Sequence, residues 1–324
     1  MTALHLAKAE STPADTSVVT DPFAEALSWD DLMAVDVTAP TFLINPFVPV
    51  QGVTFCYGKK GVGKSPFSWE AARAVALGRP FIGHWPTQQG VVLYIELDTP
   101  GRLVIDRLRK LPAPHPEGQQ FHFRWLASLD ITKPQSAAVK TLKSDQEQYR
   151  PNFVIVNTLR KSHGQDDKES FLPNLIYGAF RAIFPQAAFM FMAHDRKDAG
   201  KDSGRSQDEN FSGTLAWLND AQVGIHLVHV DVEEKKFRLD HTGSQVAPFG
   251  DKHNLQLSPD GSQVYLLGDY KEMKVMEAYA KTDPSLTKEA RVQAVSKELG
   301  EGFAPATVYR ILKTATGGGV KAAA

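Results

Sequence analysis

The sequence predicts an α/β protein: a mostly parallel, twisted sheet flanked by helices, with an antiparallel extension and a small all-α C-terminal domain of helix-turn-helix or winged-helix type. Three observations predict it. From Gly52 onward, short β-rich runs alternate with helical patterns. The runs VVLYI, FVIV and AFMFM are apolar on both faces, the mark of parallel strands covered by helices on either side. Beyond about residue 270 the pattern changes to closely spaced short helices.

In chain order, residues 1–21 are mostly small and polar, which predicts a disordered tail. Residues 22–48 carry Phe23, Leu27, Trp29, Leu32, Phe42 and Leu43 between prolines, the composition of a strap lying over a core. Strands are expected at Val53–Tyr57, Val91–Leu97, Phe121–Leu126, Phe153–Val156, Ala188–Ala193, Val223–Val230, Lys235–Leu239 and Val264–Leu267. The late strands are short and close together, as an antiparallel extension requires. A helix over Pro66–Leu77 ends at Gly78 and carries its proline in the first turn, where a missing N–H costs little. Thr99 is read as the N-cap of a helix over Pro100–Leu111.

These elements give a large domain over 49–268. Lys271–Lys281, Lys288–Leu299 (capped by Thr287, closed by Gly300) and Pro305–Ala315 then give a three-helix domain over 269–316, before a flexible tail at 317–324. The last helix should bury Val308, Ile311 and Leu312 and expose Thr307, Tyr309, Arg310 and Lys313.

Composition narrows the function. Of 324 residues, 42% are hydrophobic and 23% charged, ordinary for a globular protein. A net charge of −1 rules out a polycation that coats nucleic acid, so any DNA contact must be local. The lone Cys56 rules out an intramolecular disulfide framework, fits a reducing cytosol, and reads as a small buried hydrophobe. No stretch approaches the roughly 18 apolar residues of a membrane span, and no secretory signal is visible, so a cytoplasmic chain is expected.

The chemistry concentrates at Gly58-Lys59-Lys60-Gly61-Val62-Gly63-Lys64-Ser65-Pro66, between an apolar strand and a helix start. Glycines at this spacing let the backbone curl so that successive N–H groups face one phosphate chain, and the helix adds its positive dipole end. Lys64 can reach the β- and γ-phosphates of ATP, and the Ser65 hydroxyl can ligate Mg²⁺. Residues 49–268 thus form a nucleotide-binding domain. Glu96 and Asp98, at the tip of the second strand, suit either orientation of an attacking water or capping of the next helix. Asn157 ends the strand FVIV, where such ATPases carry a metal-binding Asp. An amide supplies no charge, so metal affinity or turnover should be lower than with Asp. His194, at the tip of AFMFMA, suits either a γ-phosphate sensor or a solvated strand end.

Over Gly52 to about Leu227 the chain resembles the RecA-like ATPases, and looks closest to the RepA-type hexameric helicases and their phage and plasmid relatives. The likeness rests on Gly58–Ser65, LYIELDTPGRLVIDRLRKL, VNTLRKSH, MAHDRK and SGTLAWLNDA (Ser212–Ala221) in that order. The resemblance implies Lys64 and Ser65 on phosphate and Mg²⁺, Asp98 as catalytic carboxylate supported by Glu96, and His194 as sensor. It also implies a ring or filament, hexameric in that group, with ATP between subunits and single-stranded DNA as partner. Three departures stand out: Asp98 where Glu is usual, Asn157 for Asp, and Gln222 where a neighbour's arginine finger would sit. Arg196, Lys197 or Arg205 could substitute for that finger. The expected channel loops, 160–171 and 195–211, have mixed charge and lack interleaved aromatics, so they suggest rather than specify a DNA grip. Over 271–316, eight basic residues face six acidic ones, leaving DNA contact and partner binding both open for the last domain.

Overall fold

The computed structural model describes residues 26–34, 41–116, 118, 120–165, 169–195, 216–244 and 252–317. The tail 1–21, Phe23, Arg196, Lys197, Arg205, most of loop 195–211, the start of the Ser212–Ala221 segment and the tail 318–324 lie outside them. The chain divides into two compact units between Pro40 and Thr41. In the first, helix α1 (Trp29–Ala34) starts with a reciprocal cap: the Asp31 N–H donates to Ser28 Oγ and the Ser28 N–H to the Asp31 carboxylate, both at 3.2 Å.

The second unit opens with an antiparallel pair, β1 (Phe42–Ile44) and β2 (Val48–Pro49). It continues through β3 (Val53–Gly58), α2 (Lys64–Leu77), β4 (Val92–Glu96), α3 (Gly101–Leu108), β5 (Phe121–Trp125) and α4 (Ala137–Tyr149). Then come β6 (Phe153–Asn157), a 3₁₀ turn (Leu159–Lys161), α5 (Leu172–Ile183), β7 (Ala188–His194) and α6 (Ala216–Asn219). The strands β8 (Val223–Asp231), β9 (Lys236–Ser244), β10 (Lys252–Leu257) and β11 (Val264–Leu266) precede α7 (Leu267–Lys281), α8 (Lys288–Leu299) and α9 (Pro305–Gly317).

Among the described residues, nine strands form one sheet in the order β11-β10-β9-β8-β3-β7-β6-β4-β5. The run from β8 to β5 is parallel, and β9, β10 and β11 extend it antiparallel. This is the predicted fold class. Alternation sends Cys56, Tyr94, Ile155 and Met190 to the face covered by α2, while Phe55, Ile95, Val156 and Phe191 meet α4 and α5. Both faces are buried, which is why these strands read as continuous apolar runs. Each fully buried Phe, Ile or Met contributes about 1.5–3 kcal/mol. Among the described residues no helix is long and apolar enough to cross a membrane.

Several elements differ from expectation. Helix α2 starts two residues before Pro66, which therefore occupies its third position, still among the N–H groups that lack helical partners. Thr99 does not cap α3: Pro100 holds the cap position, and the Thr99 N–H donates to Glu96 instead. Helices α4 and α5, strand β10 and the β1–β2 pair were not expected. In β10 only Leu255 and Leu257 are apolar, and the buried Gln256 is satisfied by the carbonyls of Glu234 and Leu257. Helix α4 buries Asp145, whose charge is met by a two-pronged bond from Arg124 on β5.

The last three helices surround their own core of Val275, Ala278, Val292, Val295, Val308 and Leu312. Thr287 caps α8 through a bond from the Ala290 N–H at 3.3 Å, as predicted. On α9, Val308 and Leu312 are buried, Ile311 is partly so, and Tyr309, Arg310 and Lys313 are exposed; Thr307 is half-buried rather than exposed. Lys288 lies 4.9 Å from the centre of the Tyr309 ring.

The parallel pairing of β3 with β8 is so close at Gly58 that a Cβ there would lie 2.5 Å from the Leu227 carbonyl oxygen. Neither backbone can yield without breaking the ladder. Gly58→Ala is therefore expected to cost about 1–3 kcal/mol of stability, read as a lower urea midpoint; an unchanged midpoint would contradict this packing.

Candidate nucleotide-binding site

The sheet register assembles the site. Gly58 pairs with His194 on one side and Leu227 on the other, and Glu96 pairs with Asn157, so four strand tips end at one edge. From Gly58 the chain turns through Gly61 to Gly63, whose φ of 102° suits a residue without a side chain, and enters α2 at Lys64.

A cavity of about 570 Å³ opens there, a size typical of small-molecule sites. Lys60, Gly61, Val62, Gly63, Lys64, Ser65 and Pro66 line it, with Asp98, Asn157 and His194. Sequence reasoning thus placed most of one wall. Gly58 and Lys59 stand behind it: their carbonyls accept the Lys64 ammonium at 2.6 and 2.9 Å. Burial pushes Lys64 below the usual lysine value, while Cys56, Asp195 and Asp98 act in the opposite direction. Among the described residues, five Lys and Arg side chains border the cavity against one carboxylate, Asp98, so it is electrostatically shaped for a polyanion. Lys64, bonded among the described residues only to main-chain oxygens and beside α2's unpaired N–H groups, fits a phosphate chain.

The two acids of the β4 tip have separate environments. Asp98 is partly exposed, and its carboxylate pairs with Lys161 of the 3₁₀ turn at 2.7 Å. Glu96 is fully buried and does not line the cavity. Its Oε1 accepts the N–H groups of Asp98 (2.9 Å) and Thr99 (2.8 Å), and its Oε2 accepts the Asn157 amide at 2.8 Å. Burial raises its pKa; the bonds from Thr99, Asn157 and Asp98 oppose that shift, and the nearby Asp98 charge adds to it. Behind them Tyr94 bonds Ser68 at 2.8 Å, and Ser68 donates to the Ser65 carbonyl at 3.0 Å, tying α2 to β4.

His194 borders the cavity beside Lys64. The next residue, Asp195, bonds back to the Gly58 carbonyl through its N–H at 3.3 Å and to His226 at 3.3 Å; Tyr57 stacks on His226 with ring centres 4.4 Å apart. Cys56 is fully buried and its thiol is pushed up to about 12, which suits the inert reading.

Other lining residues carry no site role in the sequence reading: Thr99 (read there only as a helix cap), Arg107 of α3, Thr158, His229, Val232, Lys235, Lys236, Phe237, Leu257 and Gly261. Of these, Val232, Lys235, Lys236, Phe237, Leu257 and Gly261 form an outer wall from the β8–β9 and β10–β11 turns and the strand ends beside them, joined by a bond from Lys235 to the Pro259 carbonyl. No local signal in the sequence gives the distance of these turns from the phosphate loop. Gln222 lies elsewhere: its side chain accepts the Val53 N–H at 2.7 Å, at the opposite end of β3 from the cavity. Thr307, Tyr309, Arg310 and Lys313, on α9, are not among the cavity's lining residues.

Residues 15–200, more than half of the chain, match the family model of an AAA domain; the match spans the phosphate loop, both β4-tip acids, Asn157 and His194. No curated protein matches the chain.

Burial, then the Lys64 charge, holds the His194 imidazole below its ordinary 6.5, against the opposing pull of Asp98 and Asp195. The folded chain thus resists protonating it. This stability contribution is complete above pH 6.5 and is lost as pH falls from there through the lower folded value. His163, also lowered by burial, adds in the same direction. His194→Gln is expected to shrink the fall in urea midpoint between pH 7.5 and 5.5 (assay values spanning about one unit either side of the histidine range); an undiminished fall would refute this.

Proposed function

This chain belongs to the AAA domain family, and we propose that it binds ATP with Mg²⁺ in the cavity and hydrolyses it as a RecA-like motor of the RepA type. The observation that carries the reading is the phosphate loop: Lys64 starts α2 directly after the turn through Gly61 and Gly63 and borders a cation-lined cavity. Loop N–H groups and the α2 terminus hold the phosphates. Lys64 exchanges its bonds to the Gly58 and Lys59 carbonyls for β- and γ-phosphate oxygens, and the Ser65 hydroxyl binds the metal, which neutralises phosphate charge. Asp98 orients water, and His194 senses the γ-phosphate beside Lys64. Arg107, from the same chain, offers a further cation to the phosphates.

In this reading the chain assembles as a ring or filament, hexameric by analogy, with ATP at subunit interfaces and single-stranded DNA as its partner. The α7–α9 module docks on DNA or a protein partner, with Thr307, Tyr309, Arg310 and Lys313 as the contacting face.

A second reading, a weakly hydrolysing nucleotide switch, is favoured by two contacts: Asp98 is tied to Lys161, and Asn157 brings no charge of its own to the cavity. ATP hydrolysis by wild type and Lys64→Ala, with and without single-stranded DNA, separates the readings. The motor predicts DNA-stimulated turnover, and loss of the Lys64 bonds should lower ATP affinity at least about tenfold. Tight binding with negligible turnover supports the switch. Equal phosphate release by both proteins would end the motor reading.

A further inference from the structure

We infer that Glu96 is the positioning residue that gives the metal side of the cavity its negative charge and its orientation, acting through Asn157; the inference rests on the nucleotide reading above. Position 157 carries an amide where an ionised ligand was expected, at the tip of a strand whose neighbour ends in register at Glu96. Glu96 is fully buried, yet three donors converge on it: two main-chain N–H groups of the β4 tip and the Asn157 amide. A carboxylate only accepts, so the nitrogen end of the amide must face Glu96. The oxygen is then the atom that Asn157 offers to the cavity it lines. Out of water, the carboxylate behind the amide polarises it and strengthens that oxygen as an acceptor for metal-bound water.

The charge has therefore moved one side chain back rather than disappeared. The same pairing makes aspartate at 157 costly in this background: it would put two carboxylates at hydrogen-bond distance in a buried place. It also makes the two positions exchangeable. In the double variant Glu96→Gln/Asn157→Asp, the glutamine oxygen can still accept from Asp98 and Thr99, its NH₂ can donate to the new carboxylate, and the net charge is unchanged.

The experiment measures, for wild type, both single variants and the double variant, the ATP dissociation constant with Mg²⁺ and with EDTA, together with the thermal midpoint. Expected for Glu96→Gln is a loss of about 10- to 100-fold in the Mg²⁺-dependent gain in affinity, with metal-free ATP binding retained. Asn157→Asp should lower the midpoint. The double variant should recover both midpoint and gain to within about threefold of wild type, a margin of under 1 kcal/mol. A purely structural Glu96 would leave the ratio of the two constants unchanged. The inference is overturned if Glu96→Gln keeps the wild-type gain, or if the double variant is no better than the worse single one. Should Glu96→Gln not fold, Asn157→Asp against the double variant carries the test. Wild type that binds no ATP, with or without Mg²⁺, would overturn the nucleotide reading and this inference with it; ATP binding without a Mg²⁺-dependent gain, or a gain untouched by Glu96→Gln, overturns this inference alone.

Discussion

Parallel register at the centre of the sheet governs everything built on its edge. Gly58 meets His194 and Leu227 directly across its two ladders, and the approach to Leu227 leaves no room for a side chain. A slip of one residue in a strand buried on both faces would turn each side chain to the wrong layer. The two apolar cores that sandwich β3, β4, β6 and β7 make that slip prohibitive. The hydrophobic interior thus positions the polar edge: Lys64, Asp98, Asn157 and His194 meet because Cys56, Ile95, Val156 and Phe191 cannot sit elsewhere.

The edge uses this rigidity to hold polar groups that would be costly if unpaired. Glu96 is out of water, but three donors surround it. Lys64 keeps its ammonium on two main-chain oxygens, and Asp195 is anchored to Gly58 and His226. By contrast, the Asp98–Lys161 pair is about half exposed on both sides and contributes about 1 kcal/mol at most. The buried contacts fix the site, and the exposed one is readily exchanged.

What could be read from sequence follows from how local each signal is. Gly58–Ser65 encodes its turn and its helix start within eight residues, so motif and geometry coincide. The central strands announce themselves because both their faces are buried. The outer wall is silent in sequence: Lys235, Phe237 and Leu257 reach the cavity only through the pairings of β8, β9 and β10. Strand β10 hides because its first half, Lys252-His253-Asn254, is polar and only Leu255 and Leu257 are left to signal it. Alternation placed Glu96 on the side of Asp98, but the burial that separates their environments comes from β6, some sixty residues away.

Strand β11 runs into α7 with no intervening residue, Leu266 ending one element and Leu267 starting the next. Helix α7 also packs on β10 and β11, and the β10–β11 turn is tethered to Lys235 at the cavity's outer wall. The outer wall of the pocket and the first helix of the terminal bundle therefore share one stretch of backbone, with α7 buttressing the hairpin it continues.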